Sequence, residues 1–319
     1  MLDELKLGWK MFLRTTPFLM LRLTTYGLVA AGYLVYVGIV FGFLYLFRDS
    51  AVAWWLVFLG AFGGAWGIFK LIQRYFLYMI KTAHVAVIAE LVHHGNIPEG
   101  KGQISFGKDK VTKQFVNVNI MFVIDAFVDA ICRVFNRVIF KVTSFIPLPG
   151  IEHVQRILQA IVNFSVGYVD EAILSYSFYK GNDNVWASAK DGVILYAQNW
   201  KTILKTSAVL AVLSYGVALA FFIVLLPPTY GLAALMPGFK DFFLLGAFIT
   251  ALFLRAVLVE AIVMPTMISA YHHAIQGQVP NPEWDAKLSQ VSNKFVEMKN
   301  KALNWKKEKA EAQAQAKAA

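Results

Sequence analysis

A chain of 319 residues that is 58% hydrophobic and 15% aromatic but only 16% charged is too apolar for an ordinary soluble domain, in which about a quarter of residues carry charge. A net charge of +10 and a pI near 9.5 would point to nucleic acid in a soluble protein, so the placement of the charges has to decide. The single cysteine, Cys132, excludes an internal disulfide and a multi-cysteine metal cluster, and it reads as a small packed thiol.

Residues 1–25 carry acids at the start and no small-residue cleavage site, so they read as an interfacial amphipathic helix and not as a secretory leader. Leu2, Leu5, Trp9, Phe12 and Leu13 fall near one face, and Lys6, Lys10 and Arg14 step along another. Tyr26 to Phe47 is uncharged and reaches ~30 Å as a helix, the thickness of a hydrocarbon core, which makes it the first span. After Arg48-Asp49-Ser50, Ala51 to Phe69 makes the second, so residues 26–69 hold transmembrane helices 1 and 2. Gly38/Gly42, Gly60/Gly64 and Gly63/Gly67 are small-xxx-small pairs, which predict tight packing between spans.

Residues 70–205 read as a cytoplasmic and interfacial helical section, with an amphipathic hairpin over 111–179. Lys70, Arg74, Lys81 and His84 line one stripe, suited to a helix leaving the bilayer with its basic face toward anionic headgroups. Asn96 to Lys110 is a loop by composition. Its Gly102, Gly107 and Lys108 have phosphate-loop spacing, but Asp109 stands where Ser or Thr must meet magnesium and no strand precedes them, so a nucleotide role is rejected.

In the first hairpin helix Asp125, Asp129, Arg133 and Arg137 step by four, with Asp129 and Arg133 in the favourable acid-first order. Four charges at mid-bilayer would cost ~10 kcal/mol on insertion scales, which favours a position at the cytoplasmic face. Ile146-Pro147-Leu148-Pro149-Gly150 reverses the chain. The second helix carries Glu152, Arg156, Gln159 and Asn163 on one stripe, then Asp170 and Glu171. Should both helices cross instead, the topology has six spans.

Asp183 or Asn184 caps a helix from Val185 whose Trp200, Lys201 and Lys205 reach the interface. Thr206 to Leu226 is the third span, ended by Pro227-Pro228, and Thr229 to Lys240 is an external loop. Phe242 to Met264 is the fourth, interrupted by Arg255 and Glu260 and kinked at Pro265, so residues 206–271 hold transmembrane helices 3 and 4. Residues 272–319 supply a cytoplasmic linker, a heptad helix and a tail. Trp284, Leu288, Val291, Phe295, Met298, Ala302 and Trp305 alternate four and three apart as a coiled-coil seam, and the tail from Lys306 reads as frayed.

The fold class is therefore all-α, a polytopic membrane protein of four transmembrane helices with amphipathic helices at its cytoplasmic face. Of 30 Lys and Arg, only Arg48 and Lys240 fall on the far side and Arg255 lies within a span. The positive-inside rule puts both termini in the cytoplasm, at the inner (plasma) membrane if the cell is bacterial, and topology then accounts for the basic pI without nucleic acid.

Arg255 is the sharpest candidate residue, since its helical position makes snorkelling to the cytoplasm awkward. It is expected to pair with Asp170, Glu171, Asp125 or Asp129 at a cytoplasmic-side vestibule or as a structural strut. Glu260, five residues on and about 140° around an ideal helix, is a poor intrahelical partner. Asp170-Glu171 is a candidate proton or cation site. His84, His93, His94, His153, His272 and His273 lack metal-ligand spacing, and no catalytic arrangement stands out, so no metal, no cofactor and no enzymatic activity are expected.

Val185-Trp186-Ala187-Ser188-Ala189-Lys190-Asp191, then Asn199-Trp200 and the span from Thr206, follow a basic amphipathic helix and a second helix. From Gly102 to Gly277 this order resembles the C-terminal half of the choline transporter-like solute carriers. The resemblance implies a membrane fold related to solute carriers. The chain has fewer spans than that family and lacks its cysteine-rich extracellular domain, so neither the substrate nor any binding residue carries over. Three functions are in contention: a transporter-like protein, possible as an oligomer since four spans are few; a structural or assembly subunit using the glycine faces and the heptad helix; and a membrane-shaping protein. The partners expected are lipids of an anionic inner leaflet and a second copy or another membrane protein.

Overall fold

The computed structural model describes residues 2–47, 49–71, 76–114, 118–143 and 152–318, and the regular structure among them is all helical. Helix α1 (Leu2–Arg14) has Asp3 and Glu4 in its first turn and Arg14 in its last, charges that complement the helix dipole. The chain turns at Thr15, whose hydroxyl donates to the Met11 carbonyl at 2.9 Å, and Pro17 starts α2 (Thr16–Leu46). The expected single N-terminal helix is thus two helices. Instead of lying free at an interface, α1 docks on α10 with Met11 buried, while Trp9 and Leu13 stay exposed.

Helix α3 (Ala51–Leu71) returns beside α2. Helix α4 (Tyr78–His94) corrects the expected headgroup-facing stripe. Thr82 to Ala89 are all buried, His84 stacks on Phe18 at 4.8 Å, and Lys81 points into the protein; Arg74 lies outside the described residues. Apolar and small residues on every side of the turns from Ala83 to Leu91 suit a helix enclosed all round. Gly95, at φ 76°, caps α4. Helix α5 (Gln103–Gln114) crosses α4 so closely that a Cβ on Gly107 would sit 2.6 Å from the Ala83 carbonyl oxygen. The glycines of the rejected phosphate loop serve this crossing or the turn before it.

Helices α6 (Val118–Thr143) and α7 (Glu152–Lys180) form the central hairpin, and its Pro147/Pro149 turn lies outside the described residues. From Val169 to Phe178 α7 is buried almost without interruption, packed against α4, α6, α8 and α10. Helix α8 (Val185–Leu235) is capped by Asn184, whose side chain accepts from the Ala187 amide at 3.0 Å. It runs through Pro227 and Pro228, which do not end the span as expected. The Thr229 hydroxyl donates to the Leu225 carbonyl at 2.7 Å within the turn that the prolines deprive of donors. The expected external loop therefore shrinks to Met236 and a single 3₁₀ turn, Pro237–Phe239.

Helix α9 (Lys240–Leu254), a π-turn (Arg255–Val259) and α10 (Glu260–Ala274) follow as one rod, and Pro265 sits inside α10. Helices α11 (Pro282–Val291) and α12 (Asn293–Ala318) replace the single heptad helix, because Ser292 adopts an extended conformation between them. Their seam folds back on the body. Leu288, Phe295 and Met298 are fully buried, and Trp284, Ala302 and Trp305 pack against the same core. The seam is satisfied within the chain, and α12 stays helical to Ala318 where a frayed tail was expected.

Burial divides the molecule into a helical body and two apolar hairpins. The body joins α1, α4–α7, the first half of α8 and α10–α12. The hairpins are α2–α3, exposing Leu28, Val35, Ile39 and Leu56, and the second half of α8 with α9, exposing Val212, Leu219, Val224 and Ile249. Such surfaces would be unstable in water and suit lipid. By length and composition two helices among the described residues, Arg156–Lys180 and Val185–Leu235, are long and apolar enough to cross a membrane.

Candidate functional site

The site grows from the π-turn. A turn closed five residues on instead of four takes up roughly one more residue, which brings residues five apart back toward one side. Arg255 and Glu260, which an ideal α-helix would splay, consequently line one cavity of about 530 Å³. Its other wall is a face of α7, namely Ala160, Asn163, Phe164, Gly167 and Tyr168, with Tyr215 from α8.

Arg255 does not pair with Asp170, Glu171, Asp125 or Asp129, which corrects the expected bridge. Its Nε donates to Ser214 Oγ at 2.7 Å and its guanidinium lies 4.9 Å from the Tyr215 ring centre, both partners on α8. Among the described residues no carboxylate forms an ion pair with it.

The cations that take those acids come from elsewhere. Arg22 Nη2 meets Glu260 Oε1 at 2.9 Å, and Lys81 Nζ is 3.9 Å from the same oxygen. Lys81 is ion-paired with Glu171. Glu171 follows Asp170 on α7, and Asp125 on α6 lies near enough for the charge of Glu171 to act on it. A chain of titratable groups therefore joins five helices beside the cavity: Arg22, Glu260, Lys81, Glu171, Asp170 and Asp125.

Three carboxyl groups facing one lysine cannot all be ionised cheaply. Burial, and next the charge of Glu171, push Asp125 up to about 7 against the opposing pull of Lys81. Burial works to lower the Lys81 pKa, but Glu171, Asp170 and Glu260 together hold it well above its ordinary value, so it stays charged.

The other predicted residues lie apart. Asp129 accepts from Arg133 Nε at 2.8 and 2.9 Å on the exposed side of α6, away from the cavity, so neither residue lines a vestibule. A Cβ on Gly38, Gly42, Gly60, Gly63 or Gly67 would meet nothing within 4 Å, and one on Gly64 only the Tyr36 hydroxyl at 3.6 Å. Among the described residues the glycine faces do not mediate close packing within the chain, where tight packing between spans was expected.

Sequence spacing also missed a histidine relay. His93 Nε2 and His272 Nδ1 lie 2.8 Å apart, and His272 Nε2 lies 2.7 Å from Ser175 Oγ, which also donates to the Ala172 carbonyl at 2.6 Å. A hydroxyl committed to a carbonyl can only accept from His272, so the proton sits on His272 Nε2 and His93 Nε2 donates onward. Burial, and next His93, push His272 down to about 3, so the pair is neutral. The relay borders a second cavity of about 690 Å³, lined also by Glu4, Tyr176 and Ser269. Among the described residues no group of His, Cys, Asp or Glu is arranged to hold a metal ion.

No protein-family model matches this chain, and no curated protein or solved structure does either.

Proposed function

We propose that this chain is an integral membrane protein of transporter type that binds a small solute or ion in the cavity between α7, α8 and the π-turn. The observation carrying this reading is the cavity itself: a polar space reaching Arg255, backed by a buried chain of titratable groups, where a purely structural bundle would be packed with apolar side chains. The reading keeps the four spans proposed from the sequence, 26–47, 51–69, 206–226 and 242–264, the third now continuing as helix to Leu235, with both termini in the cytoplasm. The apolar exposure of the two hairpins supports this arrangement.

Asp125, Asp170 and Glu171 are the groups through which binding would couple to proton uptake, since one of them titrates near neutrality. A second reading, an assembly subunit or homo-oligomer, is favoured by the glycine faces of α2 and α3, which are open within one chain. Its other support, a free heptad helix, is taken up by the body. Membrane shaping loses its N-terminal wedge, because α1 is docked on α10.

The test is solvent access. In a Cys132→Ser background, Gly167→Cys and Tyr215→Cys should react with a water-soluble maleimide in membrane vesicles, while Ile173→Cys in the packed part of α7 should not. Equal inertness of all three sinks the reading.

A further inference from the structure

We propose that the Arg255 cavity binds a phosphate-type oxyanion, supplied either by a lipid headgroup or by a free phosphate compound. The inference rests on the reading of this cavity as a ligand site and adds the charge and chemistry of the ligand.

The guanidinium is only partly used. Ser214 takes its Nε and Tyr215 covers one face, which leaves the terminal Nη1 and Nη2 pair with no carboxylate among the described residues. Two parallel N–H groups on a planar fork match two oxygens of a phosphate, and a charge held in an apolar setting without a counterion recruits one. The remaining lining adds donors. Asn163 accepts from Gln159 through Oδ1 at 3.1 Å, so its amide N–H groups stay available, and Tyr168 and Tyr215, each carrying a hydroxyl, line the same space. The one acid on the cavity wall does not repel an anion, because Glu260 is held by Arg22 and approached by Lys81. With Glu260 neutralised from behind by Arg22, the Arg255 guanidinium is the uncompensated charge on the cavity wall among the described residues.

The mouth of the cavity meets the apolar surface. Tyr215 stands exposed beside Val212 and Leu219 on α8, and Leu252 and Phe253 stand exposed at the end of α9. An acyl chain leaving a bound headgroup would run along this surface.

Full-length protein in uncharged detergent is titrated calorimetrically with dihexanoylphosphatidylglycerol, inorganic phosphate and dihexanoylglycerol. The phosphatidylglycerol should bind and the uncharged glyceride should not, and Arg255→Gln should weaken the phosphatidylglycerol by roughly tenfold or more, the loss of a charge-assisted fork. Phosphate binding as tightly as the lipid identifies a free oxyanion as the ligand; lipid binding at least about tenfold tighter identifies a headgroup with its tail in the groove. Should Arg255→Gln not fold, Asn163→Ala and Tyr168→Phe leave the guanidinium in place, and each must weaken phosphatidylglycerol severalfold.

Equal binding of the uncharged glyceride, undiminished binding by folded Arg255→Gln or by both milder variants, or no binding of lipid and phosphate overturns the proposal. Maleimide access at residues 167 and 215 is measured separately. A reactive cavity that rejects oxyanions removes only this inference, whereas an inert cavity removes the transport reading as well.

Discussion

Arg22, near the start of α2, reaches Glu260, the first residue of α10, at 2.9 Å, with the arginine 5% and the glutamate 21% exposed. The bond ties the first apolar hairpin to the rod that carries the cavity. Removing one partner of a buried pair leaves the other charge stranded, which costs about 3–5 kcal/mol. Glu260→Gln strands Arg22 and weakens the hold on Lys81, so it should lower stability by about that amount in thermal melts followed by tryptophan fluorescence. The double change Arg22→Met with Glu260→Met removes both charges and should recover much of the loss. A single variant as stable as the wild type would show that the pair contributes nothing.

Asp125 gives the protein a pH dependence of a definite sign. Its folded-state value of about 7 lies above the ordinary 3.8, so between those values the folded chain holds a proton that the unfolded chain has released. That proton, shared with the neighbouring Asp170, which burial and Glu171 also push up, favours folding fully at low pH, and the advantage is lost as pH rises toward and through 7. Buried His84 and His272, held neutral by burial, act in the opposite direction below their ordinary 6.5 and are common to the wild type and the neutral Asp125→Asn. The contribution of Asp125 is therefore read as a difference: from pH 5 to pH 8 the wild type should lose more melting temperature, or gain less, than Asp125→Asn. Parallel profiles for the two proteins would assign the proton elsewhere.

The acids of this network were visible in the sequence, and their partners were not. Asp125, Asp170 and Glu171 stand out because each interrupts an apolar helical face, a pattern that periodicity exposes directly. Arg22 and Lys81 have the same isolation, but as basic residues near helix ends they are equally explained by the positive-inside rule. Which helices face one another across the body is a tertiary fact that spacing within one helix does not encode. The π-turn is equally silent: nothing in Arg255-Ala256-Val257-Leu258-Val259 marks a widened turn, so Glu260 fell on the wrong side of an ideal helix. The heptad seam was legible as apolar spacing, but whether it meets another chain or its own body depends on Ser292, where the helix breaks and the second half turns back.

The glycines of the chain separate into two kinds that substitution should tell apart. Gly8 is where α1 crosses α10, and a Cβ there would overlap the Thr266 side chain. Gly8→Val should cost about 1–3 kcal/mol through overpacking, and it should expose α1 to limited proteolysis. A Cβ on Gly60 would meet nothing within 4 Å among the described residues, so Gly60→Val should leave the folded chain intact. If that same change shifts the protein to a smaller species by light scattering, a second copy covers the glycine face. If the size is unchanged, lipid does.

Phe295 decides between inward docking and coiled-coil association of the C-terminal seam. Its ring is fully buried at the start of α12, in the same core as Leu288 and Met298, and Asn184 donates to the Ala302 carbonyl at 2.7 Å to fix the same helix against the cap of α8. Truncating a buried phenylalanine costs about 3–5 kcal/mol, from lost transfer energy and the cavity left behind. Phe295→Ala should therefore destabilise the monomeric fold by that amount, read by thermal melting at two protein concentrations. Because the seam is consumed within one chain, the loss should be independent of concentration, and the oligomeric state by light scattering should not change. A melting temperature that rises with concentration in the wild type and not in the variant would mean that the seam joins two chains.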